Sequence, residues 1–204
     1  MRKIIIFIFG IIILQLNFSC KTQYSTVELH NTFSSAQIED LKEITAFFKN
    51  QMCLHMDADF KTCYERIPHE YLEATGNVFW KEIDFKKQKE LYKSISSETF
   101  NEIWSFCKDT DLETKSEFKS VCPNHKGKYQ EYLAELASEN EKVANYLERI
   151  QSSGDFNGFD IQYREVLSDQ KEFDLNDPNI QLILAIHYLS LNDNEKRNEK
   201  WQKK

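Results

Sequence analysis

Asp177-Pro178-Asn179-Ile180-Gln181-Leu182-Ile183-Leu184-Ala185-Ile186-His187-Tyr188-Leu189-Ser190-Leu191 is the most apolar stretch of the chain beyond its N-terminal segment. Asp followed by Pro is a cap-plus-first-turn signal. The carboxylate accepts from a free backbone N–H, and proline lacks the donor that would go unpaired at that position. Apolar residues then fall on nearly every side of the helix that follows. Such a helix is stable only when other elements surround it, so its place is the centre of the fold.

The flanking sequence supplies the surrounding helices. Tyr129, Leu133, Leu136, Ala137, Val143, Ala144, Leu147 and Ile150 keep one stripe over residues 128–151, and Ser152-Ser153-Gly154 ends it. Ser138 with Glu141 can open a second helix inside that span, so one long helix and two shorter ones both fit. Phe159, Tyr163, Val166 and Leu167 suggest a further helix. Toward the N-terminus, Ser34 and Gln37 form a capping box and Phe33 with Ile38 a hydrophobic staple. Ile38, Leu41, Ile44, Phe48 and Met52 then recur at helical spacing, which predicts a helix over residues 35–54. Asp57-Ala58-Asp59 interrupts it and caps a short helix through Phe60, Cys63 and Tyr64. Pro68 and Gly76-Asn77 bound another short helix, and Leu91 with Ile95 marks one over residues 87–94. Residues 78–85 mix aromatics and charges without a period. Ser96 opens a unit in which Phe100, Ile103, Trp104 and Cys107 share one helical face; residues 109–120 are polar, and Pro123-Asn124 with Gly127 marks a break. With five Gly, three Pro and scarce period-two alternation, the expected fold is a single all-α bundle of about six to seven helices over residues 34–192. Residues 193–204 read as a charged, frayed C-terminal tail.

The N-terminus carries a different signal. Arg2 and Lys3 precede an apolar run from Ile4 to Leu16, and Ser19 stands directly before Cys20. A short basic region, an apolar stretch and a small residue at a cleavage point describe an export signal. The run is too short for a membrane span of roughly 20 residues. Ser19-Cys20 resembles the lipobox of bacterial lipoproteins, with Leu16 standing four residues before the cysteine rather than three. The resemblance implies that residues 1–19 are a signal peptide and that Cys20 is diacylated with palmitate-type chains. It further implies that residues 20–33 are a lipidated N-terminus and flexible tether. The protein would then be a membrane-anchored lipoprotein of the bacterial cell envelope, facing the periplasm.

Charge and cysteines narrow the partners. The chain has 26 Lys and Arg against 33 Asp and Glu, net −7; without Arg2 and Lys3 the remainder carries 24 against 33, net −9. A nucleic-acid partner would want a basic face, so none is expected. Cys53, Cys63, Cys107 and Cys122 are an even set in an exported chain, which predicts a disulfide-stapled fold. Three pairings are possible; proximity in sequence favours Cys53–Cys63 and Cys107–Cys122.

Few motifs carry chemistry. Met52, Cys53, His55 and Met56 bring together thioether, thiolate and imidazole, the soft ligands that Cu(I) selects, provided Cys53 is reduced. Cys122 and His125 have a zinc-like spacing, but no second short-spaced pair accompanies them. Asp155-Phe156-Asn157-Gly158-Phe159-Asp160 begins like a calcium loop, yet Asp160 stands where Gly is required and Val166 where a bidentate Glu is. His69-Glu70 reads as an isolated surface pair and His187 as a hydrogen-bonded core histidine. No nucleophile elbow, phosphate loop or zinc-protease motif occurs, so no catalytic residue and no cofactor are assigned. Phe79, Trp80 and Phe85 belong to no stripe and form a candidate binding surface. The expected role is a non-catalytic binding or inhibitory domain for an envelope protein or small ligand. The alternatives are a soft-metal (copper) protein and a hydrolase using acidic residues.

Overall fold

The computed structural model describes residues 24–54, 56–156 and 161–201. Cys20, residues 1–19 and His55 lie outside them, as do residues 157–160 of the calcium-like stretch. In chain order the elements are α1 (Val27–Thr32), α2 (Ser35–Cys53), α3 (Phe60–Arg66), α4 (His69–Ala74), a 3₁₀ turn (Phe79–Glu82), α5 (Phe85–Ser94), α6 (Ser97–Ile103), β1 (Trp104–Thr110), β2 (Glu117–Pro123), α7 (Lys128–Ala137), α8 (Glu141–Ser153), α9 (Tyr163–Ser168) and α10 (Pro178–Lys196). The fold is therefore mostly helical, with ten α-helices among the described residues rather than six or seven, and it is not purely all-α. No helix among the described residues is long and apolar enough to cross a membrane.

Helix α10 is the axis. Asp177 caps it by accepting from Asn179 N at 2.8 Å, and its residues from Leu182 to Ser190 are all buried. Helix α2, helix α5, the 3₁₀ turn and β2 pack against it. Its polar side chains are paired inward. Ser190 Oγ accepts from Trp104 Nε1 at 2.8 Å and donates to the Ile186 carbonyl at 2.6 Å. Gln88 donates to the Leu189 carbonyl at 2.7 Å while its own carbonyl accepts from Asn192 Nδ2 at 2.6 Å. Helix α2 begins with both halves of the capping box, Gln37 N on Ser34 Oγ and Ser34 N on Gln37 Oε1. The 128–151 stripe is two helices, separated by Asn140, which caps α8 through Val143 N at 3.0 Å. Gly127 is needed because a Cβ there would stand 2.1 Å from the Glu102 carbonyl oxygen. That approach lets the Glu102 carboxylate accept from Lys128 N at 2.8 Å and cap α7.

Three expectations are corrected. First, the helical stripe through Phe100 and Ile103 stops at Ile103, and Trp104 starts a hairpin with β2 in antiparallel register. Cys107 lies opposite Ser120 and Cys122 opposite Ser105, so the two cysteines are diagonal neighbours on one face, with Cα atoms 5.9 Å apart. The Cys107–Cys122 disulfide thus staples a hairpin instead of a helix break, while Cys53–Cys63 ties the end of α2 to α3. Second, the proposed tether is structured from Val27 onward. Leu29 and Phe33 are core residues, and the segment is fixed to the start of α10: Thr26 Oγ1 and Tyr132 OH donate to Asn179 Oδ1 at 2.6 and 2.8 Å, and Asn179 Nδ2 donates to Glu28 at 3.1 Å. Third, the charged tail is ordered through Trp201. Arg197 makes a buried double hydrogen bond to Asp193 at 2.6 and 2.7 Å. Residues 199–201 then run along β2, with Lys119 N donating to the Glu199 carbonyl at 2.8 Å and Trp201 N to that of Glu117 at 3.2 Å.

Because Leu29 is a core residue and not part of a tether, Leu29→Ala lowers unfolding free energy in urea by about 2–5 kcal/mol. A flexible tether would lose no more than about 0.5 kcal/mol.

Candidate functional site

Four short segments converge on one cleft. Pro68 ends the bend after α3 and places His69 in the first turn of α4, where the ring is buried. His69 Nε2 lies 3.2 Å from the Tyr64 carbonyl. A carbonyl only accepts, so Nε2 carries the proton and Nδ1 is the acceptor. The other face of the ring stacks on Tyr163 of α9, centroids 4.8 Å apart and planes 5° from parallel. One turn on from His69, Glu73 accepts from Tyr163 OH at 2.8 Å and from Arg164 at 2.7 Å. The 3₁₀ turn sends Phe79 into the core and leaves Trp80 half-buried at the rim. His187, Tyr188 and Leu191 of α10 complete the wall. The enclosed volume is about 190 Å³, of the order of engineered cavities of roughly 150 Å³ that take up benzene.

Beneath the cleft lies an aromatic layer. Tyr188 stacks on Phe48 at 5.6 Å, and its hydroxyl is 3.0 Å from that of Tyr64. Burial sets the electrostatics. It pushes the His187 pKa down to about 3. It also lowers that of His69, against the opposing effect of the Tyr64 carbonyl. Burial raises the Tyr188 phenol to about 12. Both imidazoles are therefore neutral at neutral pH. At the mouth, the Tyr163 hydrogen bond and then Arg164 hold the Glu73 carboxyl below the usual carboxylate range. The described lining residues thus form a recess of uncharged aromatic and imidazole groups with one engaged carboxylate, Glu73, at its edge. It can accept a flat apolar ring and offer a few hydrogen bonds; it presents no serine, threonine or cysteine nucleophile among the described lining residues.

The sequence-derived candidates separate. Phe79 and Trp80 line the cleft, whereas Phe85 lies elsewhere, with the Arg197 guanidinium 5.6 Å and Lys89 Nζ 5.0 Å from its ring. Among the described residues, Met52, Cys53 and Met56 of the soft-metal set do not come together. Cys53 is bonded to Cys63, Met52 is in the core, and Leu54 turns left-handed (φ 38°) so that Met56 leaves the helix. Met56 Sδ instead accepts from Arg66 at 3.0 Å. Cys122 is likewise oxidised, which leaves His125 without its zinc-like partner thiolate. No group of three or more His, Cys, Asp or Glu side chains able to hold a metal occurs among the described residues. His69 is the main correction, since it is a buried wall residue and not a surface one. Its signal was the His69/Glu73 pair one helical turn apart directly after Pro68. Compared with family models, characterised proteins and solved structures, the chain matches none.

The histidines give a pH signature. An unfolded chain protonates His187 near pH 6.5, whereas the folded chain does not until about 3. Stability therefore falls as pH drops through 6.5 toward that value. Carboxylates with lowered pKa, such as Glu73, act only below their ordinary range. Between pH 7 and 5 the thermal midpoint should fall, and His187→Gln should flatten that fall; equal slopes in both proteins would contradict the assignment.

Proposed function

We propose that this protein is a lipid-anchored lipoprotein of the bacterial cell envelope whose folded part binds a small ring-bearing ligand without transforming it. The observation that carries the binding reading is the uncharged cleft between Trp80, Tyr163, His69 and His187. Small-molecule sites are concave and mostly apolar, with a few placed polar groups, and this recess has that composition. A hydrolase using acidic residues would bring two carboxylates together. Among its described lining residues the cleft has one, Glu73, already engaged by Tyr163 and Arg164. The location rests on the Arg2-Lys3, apolar-run and Ser19-Cys20 pattern. Two disulfides suit an oxidising compartment.

The anchor would be short. Tyr24 is held by the hydroxyl of Thr45, so only residues 21–23 separate it from Cys20, a reach of about 14 Å at full extension. A lipid on Cys20 would therefore hold the α1 end of the domain close to the bilayer.

Two measurements test the parts separately. Cys20→Ser should move the protein from the membrane fraction to the soluble one and remove an acyl-type mass increment; retention in the membrane would refute the anchor. In ligand-observed NMR with indole, phenol and imidazole, the unsubstituted protein should show saturation transfer that Trp80→Ala reduces at least fivefold while the thermal midpoint changes little. Equal transfer to both proteins would remove the cleft reading.

A further inference from the structure

A second recess lies between α5, α6, β1 and the chain after α10. Its floor is aromatic: Tyr92 to Phe100 and Phe100 to Phe106 stand 5.2 and 5.3 Å apart between ring centroids. Phe106 is 40% exposed, on a strand whose other large aromatic, Trp104, is fully buried. The groove encloses about 580 Å³, within the range of roughly 300–1,000 Å³ usual for small-ligand sites.

The rim is positive in a chain of net charge −7. Arg197 is neutralised by Asp193 and Glu199, and Lys119, 3.6 Å from the Phe106 centroid, pairs with Glu199 as well. Lys89 and Lys93 are different. They stand one turn apart on α5, both line the groove, and neither has an ion-pair partner among the described residues. An apolar floor with two uncompensated ammonium groups along one wall matches a molecule with an apolar body and one anionic head.

We propose that this groove binds an alkyl carboxylate, with the head between Lys89 and Lys93 and the chain across Phe100 and Phe106. A free amphiphile fits better than a bilayer lipid. Arg197 lies 18 residues along α10 from Asn179, about 27 Å away, and Asn179 is where Thr26 docks. A lipid on Cys20, the one part of this argument that rests on the proposed anchor, would hold the groove at the pole away from the membrane.

The test is calorimetric titration of the full chain carrying Cys20→Ser, disulfides intact, with dodecanoate below its micellar concentration. Dodecanoate should bind, and affinity should fall about fourfold for each methylene removed toward octanoate. Lys89→Gln/Lys93→Gln should weaken dodecanoate about tenfold and leave dodecanol unchanged, and Phe106→Ser should weaken both. No dodecanoate binding, equal binding of dodecyltrimethylammonium, or unchanged affinity in the double variant would overturn the proposal. So would association only with anionic phosphatidylglycerol vesicles, which would identify a membrane-surface patch. The result is independent of ring binding at the Trp80 cleft, because neither lysine touches that cleft.

Discussion

Helix α10 presents apolar side chains on all sides, and the rest of the molecule is arranged so that from Ile180 onward all but Leu191, at the cleft wall, are buried. Burial of a single large aliphatic side chain is worth about 1.5–3 kcal/mol, so leaving one flank of this helix uncovered would be costly. The same burial favours partners for the polar side chains on it, and most find one. That is why Trp104 must reach Ser190, and why Gln88 must bridge Leu189 and Asn192. These bonds fix where α5 and the hairpin sit. Similarly, Asn179 fixes α1 at the other end through Thr26 and Glu28, and α7 through Tyr132.

Elements whose signals are local could be read directly from the sequence. Ser34 with Gln37 and Asp177 with Pro178 announce helix starts through bonds made within three residues, and both starts are found where they were expected. The hairpin was hidden because Phe100, Ile103, Trp104 and Cys107 have spacings that a helix and a helix-to-strand junction share. Helix α1 was hidden for another reason. Leu29 and Phe33 make only one turn of stripe, and what stabilises the segment is their burial in the core together with contacts to Asn179, about 150 residues away in the chain. The cleft was half legible: Phe79 and Trp80 stood out as aromatics without a stripe. His69, Tyr163 and His187 come from separate helices, and no spacing in the sequence announces their meeting.

The cleft and the groove differ in the way their charge is managed. In the cleft, burial keeps two imidazoles neutral and the Glu73 carboxylate is satisfied locally. Around the groove, Arg197 is consumed by Asp193 and Glu199, so that among the described residues the lysines of α5 set its sign. One network thus anchors the chain after α10 and also determines the character of the surface beside it.

The short run of residues 199–201 along β2 has a consequence for handling the protein. A two-stranded hairpin has two open edges, and an open edge is a template for pairing with another chain. Here the C-terminal residues occupy the β2 edge through Lys119, Lys200 and Trp201. Trimming the chain back to the end of α10 would strip that cover and leave β2 free to recruit a strand from a second molecule. Expression boundaries and proteolytic nicks near the C-terminus would therefore influence whether the protein stays monodisperse in storage.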